Sequence, residues 1–230
     1  MVIEMNRNVT PYSQLKIFHH KELLGRLEAG ERCNPLYIRI KPTNICNHNC
    51  YYCHYKNPYL TLNEYGPNDM IPRDKMLEII ADMQKMGVKA VTFSGGGEPL
   101  IYPFIAETME KVLDAGIDLS IITNGSMLKG RNAELLARAK WVRISIDSID
   151  AVNYAEIRGI GENALPDLLK NIEEFAKIKN KECELGVNFV IGRENYKEIE
   201  QVAVTMKTLG ANHVKFAPLF SNETEEYHKD

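Results

Sequence analysis

Six short β-forming runs, each separated from the next by a stretch of helical periodicity, limit this chain to very few folds. The runs cover residues 37–41, 90–93, 119–123, 142–146, 185–191 and 213–217. Between the first two, Pro72 stands where a helix would start. Met76, Ile79, Ile80 and Met83 then recur on one face, and Gly87 follows as a stop. Between the last two, Tyr196, Ile199, Val202, Met206 and Leu209 repeat the pattern up to Gly210. Strands that alternate with helices pair in parallel through right-handed crossovers, so the fold class is α/β with a parallel sheet. Periodicity alone leaves two forms of it, an open sheet and a partial barrel.

The flanks read differently. Residues 1–34 form a leader, polar at first and then helical over 13–29, with Leu15, Phe18, Leu23, Leu24 and Leu27 as its apolar face and Gly30 as its end. Residues 35–220 hold the alternating core, and 221–230 are a polar tail. Two interruptions break the alternation. Residues 55–70, rich in Tyr, Asn, Pro and Gly, are too long for a routine βα connection and predict a lid. Residues 150–158 predict a short extra helix after the fourth strand.

Charge and hydropathy remove several classes of function. The net charge is −3 and the basic residues are scattered among acids, which argues against a nucleic-acid or anionic-membrane surface. No apolar run approaches the ~18 residues that span a bilayer. The start, MVIEMNRNVT, has no apolar h-region, so the expectation is a cytoplasmic protein. Five cysteines, three of them within eight residues, favour a metal site over a disulfide framework.

Those three are Cys46, Cys50 and Cys53, in CNHNCYYC, directly after the first strand. Thiolates so close can converge on one small metal assembly. A structural zinc would want a fourth ligand from a second knuckle, which is missing; His48 or His54 would have to serve, and that alternative stands. A [4Fe–4S] cubane usually takes four cysteines; held by three, it keeps one iron open to a further ligand. The loop also sits at the carboxyl end of a strand, where α/β folds place their chemistry.

The CxxxCxxC spacing, with Tyr52 just before the last cysteine, resembles the motif of the radical S-adenosylmethionine superfamily. The resemblance runs over roughly residues 35–220 and implies a partial (β/α)6 TIM-type barrel, preceded here by the N-terminal helix. It implies a [4Fe–4S] cluster on Cys46, Cys50 and Cys53, with S-adenosylmethionine chelated at the open iron. One electron from the cluster would cleave that cofactor to methionine and a 5′-deoxyadenosyl radical, which abstracts hydrogen from a substrate. Tyr52 matches the position whose backbone approaches the adenine.

The other strand ends fit the same picture, each with a plainer reading beside it. Gly96, Gly97 and Glu98 in FSGGGEPL resemble the family's GGE motif, which contacts the methionine amino group; otherwise they are a tight turn, and Gly95 is one glycine more than usual. Asn124, in ITNGS, would point an amide into the mouth or make an Asn-Gly turn. Ser145 and Asp147 resemble the family's ribose-binding pair, with Asp147 alternatively capping the following helix. Asn188 is the one polar residue in Val187–Ile191, an adenosine ligand or a satisfied core amide. The backbone from Val214 to Ala217 would lie along the adenine edge. Arg158 resembles an arginine of peptide-maturing relatives, though a lone arginine reads first as an exposed ion-pair partner. His19 and His20 read as exposed, and Cys33 and Cys183 as inert thiols.

The phrases FSGGGEPL and ITNGS resemble most the branch with the molybdenum-cofactor cyclase and the peptide maturases. Those carry C-terminal extensions with extra cysteines, which this chain does not contain; it is then a minimal one-cluster enzyme or a truncated product. The expected partners are a peptide, sugar or nucleotide-derived substrate and an electron donor such as flavodoxin or ferredoxin. A catalytically silent iron–sulfur or zinc module of the same descent is the rival. Radical chemistry needs a shielded pocket, and residues 55–70 with the leader helix are the expected shield.

Overall fold

The computed structural model describes residue 18, residues 20–56 and residues 66–219. In chain order the elements are α1 (Lys21–Glu28), β1 (Tyr37–Ile40), α2 (Arg73–Met86), β2 (Ala90–Phe93), α3 (Ile105–Asp114), β3 (Asp118–Thr123), α4 (Gly130–Leu136), β4 (Trp141–Ser145), α5 (Ala151–Arg158), α6 (Ala164–Ile178), β5 (Glu184–Ile191), α7 (Ile199–Thr208) and β6 (His213–Pro218). The strands pair in parallel in the order β1-β2-β3-β4-β5-β6. Each of the six predicted runs is a strand, displaced by at most one residue at either end.

Why the sheet curls into a partial barrel, and does not lie flat between two helical layers, is written in its alternation. A parallel sheet covered on both faces is apolar on both. Here one face carries Ile40, Val91, Phe93, Leu119, Ile121, Val142, Ile144, Leu185, Val187 and Phe189, all buried. They share one hydrophobic cluster with Met76, Ile80 and Met83 of α2, Met109 and Val112 of α3, Leu168, Ile172 and Phe175 of α6, and Val202 and Met206 of α7. The residues between them point the other way. They are mostly polar: Arg39, Thr92, Ser120, Arg143, Ser145, Asn188 and Lys215. Among the described residues no helix covers this second face, which is the hollow of the barrel.

The helices end as their sequences indicate. Pro72 precedes α2 and Gly87 closes it. The extra helix after β4 exists as α5, and its cap is Asp150, whose side chain accepts from Asn153 N at 2.9 Å. Capping therefore falls to Asp150 and leaves Asp147 to other work. Two expectations are corrected. Tyr196 is 52% exposed, because it lies in a 3-10 turn ahead of α7 and out of phase with it. The leader helix, expected over 13–29, is assigned from Lys21 only; none of its residues is buried, Leu23 and Leu24 of the apolar face are half-buried, and Leu27 is exposed. Its earlier part, His19, residues 57–65 of the expected lid and the tail 221–230 lie outside the described residues. Among the described residues no helix is long and apolar enough to cross a membrane.

Candidate active site

The cysteine loop leaves β1 at the carboxyl end of the sheet and is tied to three neighbours. The first is the glycine loop after β2. Gly97 N donates to Thr43 O at 2.8 Å and Glu98 N to Ile45 O at 2.9 Å, so the two loops run together like strands. A Cβ on Gly97 would overlap the Ile45 carbonyl, so only glycine permits this approach. The second neighbour is the loop after β3: Asn124 Nδ2 donates to Asn47 Oδ1 at 2.9 Å, and Asn47 Nδ2 donates to Ser126 Oγ at 2.9 Å. The third is the end of α5, where the carbonyls of Arg158 and Ile157 accept from Asn49 N at 2.8 Å and Tyr51 N at 3.2 Å. Gly159 turns away there at φ 59°, and a Cβ on it would stand 2.7 Å from Asn49 O.

Glu98 fastens the rim from inside. Its Oε1 accepts from Leu100 N at 2.9 Å and Thr123 Oγ1 at 2.6 Å, and its Oε2 accepts from Asn124 N at 2.7 Å. Burial pushes its carboxyl up from the ordinary range, while those donors pull it back. The side chain is thus engaged by the protein, and so are the Gly97 and Glu98 N–H groups, which donate to the cysteine loop. The Asn124 amide is likewise spent, donating to Asn47 and accepting from Ser126 N and Oγ.

On the β4 and β5 side the rim is ionic. Asp147 is wholly buried; its Oδ1 accepts from Val190 N at 3.1 Å, and its Oδ2 meets Arg158 Nη2 at 2.6 Å and the Tyr52 hydroxyl. Arg158, expected as an exposed partner, is only 3% exposed, and its Nη1 points to Cys50 Sγ at 3.7 Å. Burial pushes the Cys50 thiol up and the Arg158 charge draws it back down. Burial also raises the Tyr52 hydroxyl, which keeps it a donor. The predicted ribose pair therefore splits: Asp147 is used up in this network. Ser145 sits beside Asn188 in register across β4 and β5, and both are half-buried. Neither side chain hydrogen-bonds within the described residues, so both are available to a ligand in the hollow.

The donor set suits an iron–sulfur cluster. The three thiols lie half-buried on one loop, and two of them already accept hydrogen bonds, as ligand sulfurs do: Cys46 Sγ from His48 N at 3.4 Å, and Cys50 Sγ from Arg158. Among the described residues no three His, Cys, Asp or Glu side chains, the three cysteines included, are gathered closely enough to hold a single metal ion. His48 is buried, and His54 is exposed with its ring against Tyr55. Cys183 is buried with its thiol pushed up to about 11 by that burial, as an inert thiol should be.

The structure brings together the residues that the strand-end motifs nominated: Cys46, Cys50, Cys53, Tyr52, Gly96, Gly97, Glu98, Asn124 and Asp147 lie on the loops after β1–β4, Ser145 is the last residue of β4, and Asn188, within β5, is level with Ser145. Asn47 carried no expectation, and Arg158 was read first as an exposed ion-pair partner; the partners of both are remote in the chain.

In sequence and fold the chain is similar to known proteins. The family model described as the Radical SAM superfamily matches residues 40–206. A GTP 3′,8-cyclase from Alkaliphilus oremlandii is 31% identical over 200 residues, covering 84% of this chain and 59% of that protein. An S-adenosylmethionine-dependent nucleotide dehydratase from Lacinutrix mariniflava is 30% identical over 161 residues, covering 66% of this chain and 32% of that one. Among solved structures, Streptococcus suis SuiB bound to S-adenosylmethionine superposes with a TM-score of 0.69 at 20% identity, over 93% of this chain and 47% of SuiB. At that identity the likeness concerns the fold. The chain spans about half the length of the curated relatives it matches.

Proposed function

The chain belongs to the radical SAM superfamily, and from that premise we propose that it holds one [4Fe–4S] cluster on Cys46, Cys50 and Cys53 and reductively cleaves S-adenosylmethionine to act on an anionic small molecule. The family's cluster, when bound, supplies the electron for that cleavage and hence the 5′-deoxyadenosyl radical that takes a hydrogen from substrate. The observation that carries the reading is the cysteine loop, fixed by Gly97, Asn124 and Arg158 at the open end of a polar hollow.

The residues divide the work. Backbone groups of Gly96 and Gly97 would hold the methionine moiety, while the Glu98 side chain holds the strand ends that carry them. The Tyr52 main chain and the backbone of β6 would line the adenine, while the Tyr52 hydroxyl is committed to Asp147. Ser145 and Asn188 offer hydrogen bonds to the adenosine part. Asp147 orients Arg158 and Tyr52 instead of touching ribose.

The substrate class follows from charge. Alternation puts Arg39, Lys41, Arg143 and Lys215 on the hollow face, beside neutral Ser94, Ser145 and Asn188. The acids of that face, Asp118 and Glu184, are the first residues of their strands, at the far rim. A phosphate-bearing substrate suits such a floor, and two relatives are named for nucleotide chemistry. A one-electron donor such as flavodoxin or ferredoxin completes the set.

Anaerobic reconstitution with iron and sulfide tests the metal assignment. About four irons and four sulfides per chain, with an electron paramagnetic resonance signal that S-adenosylmethionine alters, is the expected result. Bound zinc without iron uptake would overturn it.

A further inference from the structure

Arg158 combines features that a purely structural ion pair does not need. Its guanidinium is buried, and burying a charge costs several kcal/mol even when it is paired. Its Nε–H finds no acceptor within the described residues, although a guanidinium placed for anchorage would be expected to satisfy its donors. The ring of Tyr154 flanks it at 5.7 Å, and one side of its charge is met by Asp147. What its free edge addresses is a sulfur: Nη1 stands 3.7 Å from Cys50 Sγ. The same residue fixes that geometry from behind, because its own carbonyl accepts from Asn49 N, next to Cys50 in the chain.

We infer that Arg158 is a positioning residue acting through Cys50, raising the reduction potential of the cluster, with Asp147 as the counter-charge that limits the rise. Reduction adds one negative charge to the cluster. A cation hydrogen-bonded to a ligand sulfur stabilises that reduced form, and a carboxylate beside the cation takes back part of the effect. The two residues therefore push the potential in opposite directions. This rests on the proposed cluster assignment.

The test is a redox titration of the reconstituted full chain, followed by electron paramagnetic resonance and run without S-adenosylmethionine. Arg158→Gln should lower the ratio of reduced to oxidised cluster about tenfold at a fixed potential, a shift of about 59 mV for one electron. Arg158→Lys, which keeps the charge, should shift it less, and Asp147→Asn should shift it upward. Unchanged potentials in clusters that load normally overturn the inference, as do shifts of the same sign in Arg158→Gln and Asp147→Asn, the mark of a loosened and wetter site. If Arg158→Gln does not load, Arg158→Lys and Asp147→Asn decide by the same signs. A wild-type chain that takes up no cluster would instead refute the assignment on which this builds.

Discussion

Asn188 and Phe189 are consecutive residues of β5, yet they belong to different halves of the molecule. Phe189 is wholly buried, its ring edge-on to Phe216 at 5.8 Å, in the cluster that joins sheet to helices. Asn188 faces the hollow with its amide uncommitted beside Ser145. The contrast recurs along each strand: one face spends its side chains on stability, the other keeps them for a ligand. A fold divided in this way can change its substrate without repacking its core, because the two sets of positions never share a face.

Four substitutions or conditions would sharpen or break that division. Phe189→Ala should cost most, about 3–5 kcal/mol of unfolding free energy, read by denaturant titration. A cost near zero would mean that the outer face is not the core. Glu98→Gln comes next. It sets an amide N–H₂ against one of three donors, costing about 1–3 kcal/mol, and should reduce iron loading, since Glu98 aligns the loops after β2 and β3. Asn188→Ala should leave stability within about 0.5 kcal/mol while weakening S-adenosylmethionine binding about tenfold, the value of one hydrogen bond of about 1.4 kcal/mol. Calorimetry on the reconstituted protein measures it, and a large loss of stability with unchanged affinity would put Asn188 on the wrong side of the comparison.

The smallest effect concerns pH. His213 opens β6 on the hollow face, and burial holds its imidazole below its ordinary value, with Glu184 opposing and Arg143 assisting. As pH falls through the unfolded value near 6.5 the unfolded chain takes up this proton first, so stability is full above that point and declines below it. The slope between pH 7 and 5.5 should be shallower in His213→Gln; an unchanged slope would remove His213 from the account.

Much of this was legible in the amino-acid order. The β runs and the helix boundaries at Pro72 and Gly87 are local signals, and so is the cysteine spacing. The unpredicted parts depend on distance along the chain. Arg158 meets Cys50 across 108 positions, and Tyr52 meets Asp147 across 95. In one dimension Arg158 is a lone arginine ending a short helix, and nothing near it states that α5 returns its carbonyls to the cysteine loop. Glu98 hides its role in another way: its motif lies beside the cysteine loop, but nothing in the motif states that its side chain ties strand ends together. Tyr196 shared the helical phase of α7 on paper and lost it because a 3-10 turn precedes the helix.

The most direct test of the whole reading is the quantity of 5′-deoxyadenosine formed by the anaerobically reconstituted chain with S-adenosylmethionine and a strong reductant, measured by mass spectrometry. Its formation by the wild-type chain and its loss in Cys50→Ala is the predicted result. A chain that loads its cluster in full and forms none would contradict it.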